Sequence, residues 1–371
     1  MSEVIIKALV PTSADYHQLE TLHTEVDFRT VVKPLLLSAI FNPKTNYELT
    51  NSFTYDTRAR TYQLPETKQY TETGPAVTFD TQNQKSFIIS SAGLQGSFTP
   101  QDMANQRQAG SLTFKDQVYY QSMIADKLDT AWDLDLELSF AQILSDDTNR
   151  LTNTKGTSYN YFTTIEGVTR KAYFDAVTSG TAYSTNGSGK FDIVFATQAD
   201  VAAYMNDMKD ILYAEAAKAG ISGGMVVAIC GTNWFNKRLK AEKQEGLARS
   251  LRSAKDFVSE VVPQVNYGGI NYNTFTGAAD DITYIKYGAG ILSATDLIGA
   301  DDCKLTLVGG TSNFSINYAP AMRMSTINQR ALPMYRWGTM DEVAGFRQLT
   351  ESNRLVLLEK PSTVIHLTSS T

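Results

Sequence analysis

The sequence predicts an α+β fold organised on one long helix, and three observations carry that reading. Residues 113–145 form a stretch with no Gly or Pro, and Phe114, Val118, Ile124, Leu128, Ala131 and Trp132 recur near the spacing of a single buried helical stripe. Residues 49–96 instead show period-two alternation, at Phe53, Tyr55, Thr57, Ala59 and Thr61 and again at Val77, Phe79 and Thr81. Residues 191–243 then run strand, helix, strand, helix.

The long helix opens at Thr113, an N-cap residue with Asp116 three positions on, a capping-box-like pair. Leu134 to Phe140 alternates and would pass for a strand on pattern alone, but no turn residue separates it from what precedes, so it is read as helix. At ~1.5 Å per residue the element would run roughly 45–50 Å, the length of a strut. Before it, residues 1–48 mix short helical patterns with Pro34 and Pro43 and read as an arm. The alternating runs of 49–96, with turn signals at Leu64-Pro65-Glu66 and Gly74-Pro75 and a last run at Phe87-Ile88-Ile89, read as a long two-stranded hairpin. Such a ribbon is marginal alone in water and needs a surface to rest on.

After the helix, Tyr161–Ile165 and Ala172–Phe174 read as short strands, and the Ser/Thr/Gly-rich stretch 178–190 as a flexible boundary. Strands follow at 191–195, 225–229, 270–275, 282–287, 304–308 and 363–367, with helices at 198–218 and from Thr232 or Asn233 to Lys243.

Composition narrows the function. The chain has 371 residues, enough for two or three domains, with 42% hydrophobic and 11% aromatic residues, as in a folded protein. A net charge of −6 disfavours a general nucleic-acid binder. Cys230 and Cys303 are too few for a disulfide framework and read as free thiols. The start, Met1-Ser2-Glu3-Val4, has no signal-peptide pattern, and no apolar run approaches the ~20 residues of a membrane span, so a soluble protein made in the cytosol is expected.

The search for an active site finds none. Gly187-Ser188-Gly189-Lys190 misses the phosphate-loop pattern twice, because Ser184 stands where the first Gly belongs and Phe191 where Ser or Thr belongs. His17, Glu20 and His23 step by three around a helix and do not match the zinc spacing. His366 lies in an apolar strand and reads as structural, and there is no Gly-x-Ser-x-Gly elbow. Asp133, Asp135 and Glu137 do not converge on a substrate. No catalytic, cofactor-binding or metal-binding residue is expected.

The last third carries a family pattern. Tyr318-Ala319-Pro320-Ala321, Thr326-Ile327-Asn328, Leu332-Pro333-Met334-Tyr335, Glu351-Ser352-Asn353, Leu355 and Lys360-Pro361 resemble, in order and spacing, the closing region of lambda-type tailed-phage major capsid proteins, the protein E family. Phe346–Leu349 and Arg354 depart from it where a more regular strand is expected. The resemblance implies a Hong Kong 97-like capsid fold: an N-terminal arm (1–48), an extended loop (49–96), a peripheral domain (97–178 and 305–371) on a spine helix, and an axial domain (179–304). It implies no enzyme but a major capsid protein that assembles with itself, as hexamers and pentamers, into an icosahedral shell around double-stranded DNA. A separate scaffold protein, a portal and a decoration (cementing) protein are the implied partners. An encapsulin-like compartment shell and an α/β enzyme resting on residues 191–243 are the alternatives. Tyr55, Tyr62, Phe79 and Phe87 are the candidate inter-subunit contacts, as large side chains on a ribbon with no partner of its own. The acidic run Asp126, Asp129, Asp133, Asp135, Glu137, Asp146 and Asp147 is expected in part to line the shell interior.

Overall fold

The computed structural model describes residues 36–58, 82–103, 117–150, 156–181, 183–195, 200–221, 223–250, 264–267, 270–277, 279–287, 298–309, 313–321, 323, 326, 329–341 and 345–369. Most of the arm, with His17 and His23, the distal hairpin and the Thr113 cap therefore lie outside the described residues.

A short helix, α1 (Leu36–Phe41), leads into strand β1 (Lys44–Tyr47), and the base of the hairpin follows as β2 (Ser52–Arg58) and β3 (Gln82–Ile88). After β4 (Gly93–Phe98) comes the spine, α2 (Gln117–Asp146), 30 residues long. It stays helical through the alternating stretch. Tyr120, Ile124, Leu128 and Trp132, each four apart, bury one stripe, and Phe140, Ile143 and Leu144 continue it into the main core. At ~1.5 Å per residue the helix spans about 45 Å.

Two expected strands are helical instead. Tyr161–Ile165 falls in a π-helical turn, Phe162–Glu166, closed by Gly167 at φ 78°. Ala172–Phe174 lies in α3 (Arg170–Val177), capped by Thr169, whose side chain accepts from the Ala172 N–H. The aromatic residues that suggested strands are core side chains: Phe162 and Phe174 are both buried. Local capping has overruled β-propensity here.

The largest unit is a seven-stranded mixed sheet in the order β5-β15-β10-β6-β9-β8-β7. Its members are β5 (Phe191–Ile193), β6 (Met225–Cys230), β7 (Gln264–Tyr267), β8 (Ile270–Thr276), β9 (Thr283–Lys286), β10 (Asp302–Val308) and β15 (Val364–Ser369). Helices α4 (Val201–Lys218), capped by Asp200, and α5 (Thr232–Ser250) lie between them in sequence. Strand β6 is apolar throughout, and beyond the exposed Met225 both of its faces are covered. Val226, Ala228 and Cys230 join Trp234, Met205 and Leu212 on the side of α4 and α5, while Val227 and Ile229 join Phe140 and Ile143 of the spine. The sheet takes in 305–308 and 364–369, so no break falls at the expected 304/305 boundary.

Two three-stranded sheets flank the spine: β1-β11-β14, with β11 (Phe314–Ala319) and β14 (Asn353–Leu358), and β12-β13-β4, with β12 (Tyr335–Asp341) and β13 (Gly345–Glu351). Phe346–Leu349 and Arg354, read as a departure from the family pattern, sit in unbroken ladders. The stretch 187–189 is not a loose linker. Gly189, at φ +72°, packs where a Cβ would stand 2.8 Å from the Lys171 nitrogen, and the Asn186 side chain accepts from the N–H groups of Ser188 and Lys190.

Candidate assembly surfaces

The ribbon β2–β3 forms a two-stranded sheet of its own. Its base is bolted to the chain's own core. Phe87 is fully buried, stacked on Phe53 at 5.5 Å between centroids and edge-on to Tyr159 at 5.1 Å. The Tyr159 hydroxyl accepts from the Ile88 N–H at 2.8 Å. Of the four candidate contact residues, Phe87 is therefore a core side chain rather than an exposed anchor: the alternation that gives the ribbon an apolar face turns that face inward at its base. Tyr55 is half-buried beside the same core, and its hydroxyl donates to the Glu359 carbonyl at 3.3 Å. Burial, with Glu359 and Glu166 nearby, holds the phenol well above its ordinary range. Tyr62 and Phe79 lie outside the described residues. The opposite face is in solvent, with Thr54, Gln84, Ser86 and Ile88 exposed.

A second surface lies along the N-terminal half of the spine. Strand β4 is the outer strand of its sheet, and Gly96 lets it approach α2, since a Cβ there would fall 2.5 Å from Ile124. Between strand and helix runs an open groove of about 530 Å³ floored by Leu94, Phe98, Tyr120, Ile124, Leu128 and Ala131. Val118, on the same half of the helix, is 67% exposed.

The acidic run divides. Asp135 pairs with Arg150 at 2.9 Å and Arg354 at 3.0 Å, and Asp129 with Arg336 at 2.6 Å. Asp147 is buried against Arg170, whose Nε donates to it at 2.6 Å while its guanidinium lies 4.6 Å from the centre of the Phe162 ring. Glu137 is fully buried. It accepts from the Leu37 N–H at 3.2 Å and the Tyr287 hydroxyl at 2.9 Å, and also from the Ser38 N–H, so one carboxylate ties α1 to the spine and to the chain just after β9. Burial raises its pKa to about 7 against these hydrogen bonds. Asp126, Asp133 and Asp146 are left exposed. A sequence signal for Glu137 existed: it stands three, four and seven residues before Phe140, Ala141 and Leu144, on the apolar stripe itself.

Several residues of the closing pattern meet in one polar knot. The Asn353 amide donates to the Pro320 carbonyl at 3.0 Å and to Glu351 at 2.9 Å, and its oxygen accepts from the Ala92 N–H at 3.2 Å. The Ser352 hydroxyl donates to the Pro333 carbonyl at 2.7 Å, and Leu332 N–H to the Tyr335 hydroxyl at 3.0 Å. Ser352 and Asn353 are buried, and these hydrogen bonds hold the two small sheets together. Among the described residues no three potential metal ligands cluster, and no helix is long and apolar enough to cross a membrane.

The sequence matches the family model described as phage major capsid protein E over residues 19–369. The chain belongs to that family. The capsid protein is similar in fold to a subunit of the cyanophage A-1(L) capsid asymmetric unit, with TM-score 0.51 at 12% identity over 93% of this chain and 95% of that one. A candidate prophage capsid protein from E. coli CFT073 matches with TM-score 0.50 at 10% identity over 92% and 96%. The SrpI encapsulin of Synechococcus elongatus PCC 7942 gives 0.45 at 9% identity over 97% and 95%. No curated protein matches the sequence significantly. The shared fold is the Hong Kong 97-like capsid fold, and the capsid protein is a building block of a phage head shell.

Proposed function

We propose that the capsid protein assembles as hexamers and pentamers into the icosahedral head of a tailed double-stranded DNA phage, with the extended loop 49–96 as the clamp between neighbouring copies. The observation that carries this reading is the ribbon: its base is packed into the core by Phe53 and Phe87, yet β2 and β3 pair only with each other among the described residues. A two-stranded ribbon gains little stability alone, and contact with a second copy supplies the missing surface. The groove beside β4, an outer strand with apolar floor residues, is a second surface suited to a neighbour. The contact anchors are Tyr62 and Phe79 on the distal ribbon with Tyr55 at its root; Phe87 serves folding.

In this reading residues 1–48 are the arm, the spine with the two small sheets forms the peripheral domain, and the seven-stranded sheet with α4 and α5 is the core of the axial domain. Assembly takes place in the host cytoplasm with a separate scaffold protein, and a portal and a cementing protein complete the head. The protein catalyses nothing and takes no cofactor. Exposed Asp126, Asp133 and Asp146 face the packed DNA and keep it from adhering to the wall.

Electron microscopy of the purified recombinant protein tests the reading: closed shells of uniform size are expected. Replacing residues 56–82 by a short Gly-Ser turn should leave a chain that melts cooperatively but sediments as monomers or small oligomers. Normal shells from that variant would remove the clamp, and particles loaded with an enzyme would favour the encapsulin alternative.

A further inference from the structure

Cys230 and Cys303 are 73 residues apart in sequence, yet their sulfurs lie 3.3 Å apart inside the seven-stranded sheet. They are register partners across β6 and β10, and both are free and fully buried. The ladder gives their pairing type. The Gly231 N–H donates to the Asp302 carbonyl at 2.9 Å, which makes 231 and 302 a hydrogen-bonded pair and the adjacent 230 and 303 a non-hydrogen-bonded one. At such positions Cα atoms approach to about 4.5 Å and the side chains lie closest, inside the roughly 4.4–6.8 Å that a disulfide spans. Both thiols face the side of the sheet packed by Trp234, Phe235 and Leu305. The sulfur separation and the pairing type both suit a disulfide.

We propose that Cys230 and Cys303 form an intrachain disulfide when the protein meets a small-molecule disulfide oxidant, stapling β6 to β10. The chemistry is two exchanges. One cysteine thiolate attacks a sulfur of oxidised glutathione, forming a mixed disulfide and releasing one glutathione thiolate. The second cysteine thiolate attacks the protein sulfur of that mixed disulfide, closing the Cys230–Cys303 bond and releasing the second glutathione. The protein loses two thiol protons and two electrons, and oxidised glutathione becomes two reduced molecules. Burial pushes the Cys230 thiol far above its ordinary range, so the closed fold is unreactive and the first exchange takes place only when the sheet opens. The same burial then shields the finished bond from reductants. The staple forms through opening and is locked by closure.

The test uses the purified full-length protein, incubated with oxidised glutathione in urea below its unfolding midpoint. Free thiols are then blocked with iodoacetamide after unfolding, and the intact mass is read. A monomer lighter by two hydrogens and carrying no alkyl group is expected, formed faster as urea increases. Once the urea is removed, dithiothreitol should leave the bond intact in the folded protein and break it in the unfolded one. The oxidised protein should melt roughly 3–6 °C above the reduced one. C303A and C230A should show neither the mass change nor the shift. If either variant fails to fold, the wild-type mass measurement still decides. Two alkylated cysteines, lasting glutathione adducts on either one, or disulfide-linked dimers would each overturn the proposal.

Discussion

At the scale of single residues, the capsid protein buries charge at its joints. Glu137 is the clearest case, since its carboxylate receives donors from α1 and from Tyr287 while standing on the spine. Its pKa rises from 4.5 to about 7 on folding, so the folded state binds the proton more tightly than the unfolded one. Stability is therefore greatest below about pH 4.5 as far as this group decides it, and falls as pH rises towards 7. E137Q should flatten that slope, leaving a protein at pH 8 as stable as wild type or more so, by up to about 1–3 kcal/mol, in denaturant titrations across pH. E137A should instead cost about 2–4 kcal/mol, because it orphans the Leu37 N–H and the Tyr287 hydroxyl. The Asp147–Arg170 pair acts differently. Arg170 also donates to the Val364 carbonyl at 2.5 Å, and D147A would strand a buried guanidinium at a cost of roughly 3–5 kcal/mol by urea denaturation. Lys304 is the opposite liability. It is fully buried, 3.9 Å from Asp302, its ammonium has no hydrogen-bond partner among the described residues, and burial lowers its pKa to about 8. K304M should raise the midpoint of thermal unfolding at neutral pH.

At the scale of elements, the proposed clamp would separate folding from assembly within one hairpin, since its base is packed into the core by Phe53 and Phe87. F87A should destabilise the subunit by roughly 3–5 kcal/mol, read by denaturant unfolding of unassembled protein, because it empties a packed aromatic site. Substitutions further out should spare subunit stability and weaken assembly. How much of this was legible in the sequence depends on the kind of signal. Helices α2, α4 and α5 were readable because apolar spacing acts locally, although the Asp200 cap was missed and α4 was begun at 198. Six strands of the large sheet were readable as short apolar or alternating runs, and β7 was not. The turn at 162–166 and α3 were misread. Aromatic residues there satisfy strand propensity, while the deciding forces are the Thr169 cap and burial against β5, through Phe174 on Phe191 at 5.6 Å. Phe87 was assigned outward for a related reason: alternation gives a face but not which body covers it. The partners of Glu137 and Asp135 lie 100 and more residues away in the case of Leu37, Tyr287 and Arg354, beyond the reach of any local pattern.

At the scale of the whole molecule, the seven-stranded sheet adds 305–308 and 364–369 to the strands of the expected axial domain, 179–304, so any tilt of that domain between immature and mature shells would carry them along. Strands β10 and β15 are laddered together from Asp302–Thr368 to Thr306–Val364, so 364–369 must travel with the sheet. Gly224 and Gly309 are in close backbone contact, a Cβ on the former falling 2.4 Å from the latter's oxygen, which makes that point a tight junction. Cryo-electron microscopy of immature and mature particles should find 364–369 fixed to the sheet at 191–308 while the spine changes its angle to both; β15 staying with the spine would contradict this. The placement of β15 also bears on how the chain comes into being on the ribosome. It lies between β5 and β10, paired parallel to one and antiparallel to the other, yet it is the last of the seven strands to be translated. At roughly 5–20 residues per second, β5 waits on the order of 10–30 s for its neighbour. Until then β5 has no ladder into the sheet, and the gap beside β10 stays open. A chain whose synthesis stops early cannot close the sheet, and so cannot present a finished subunit to a growing shell.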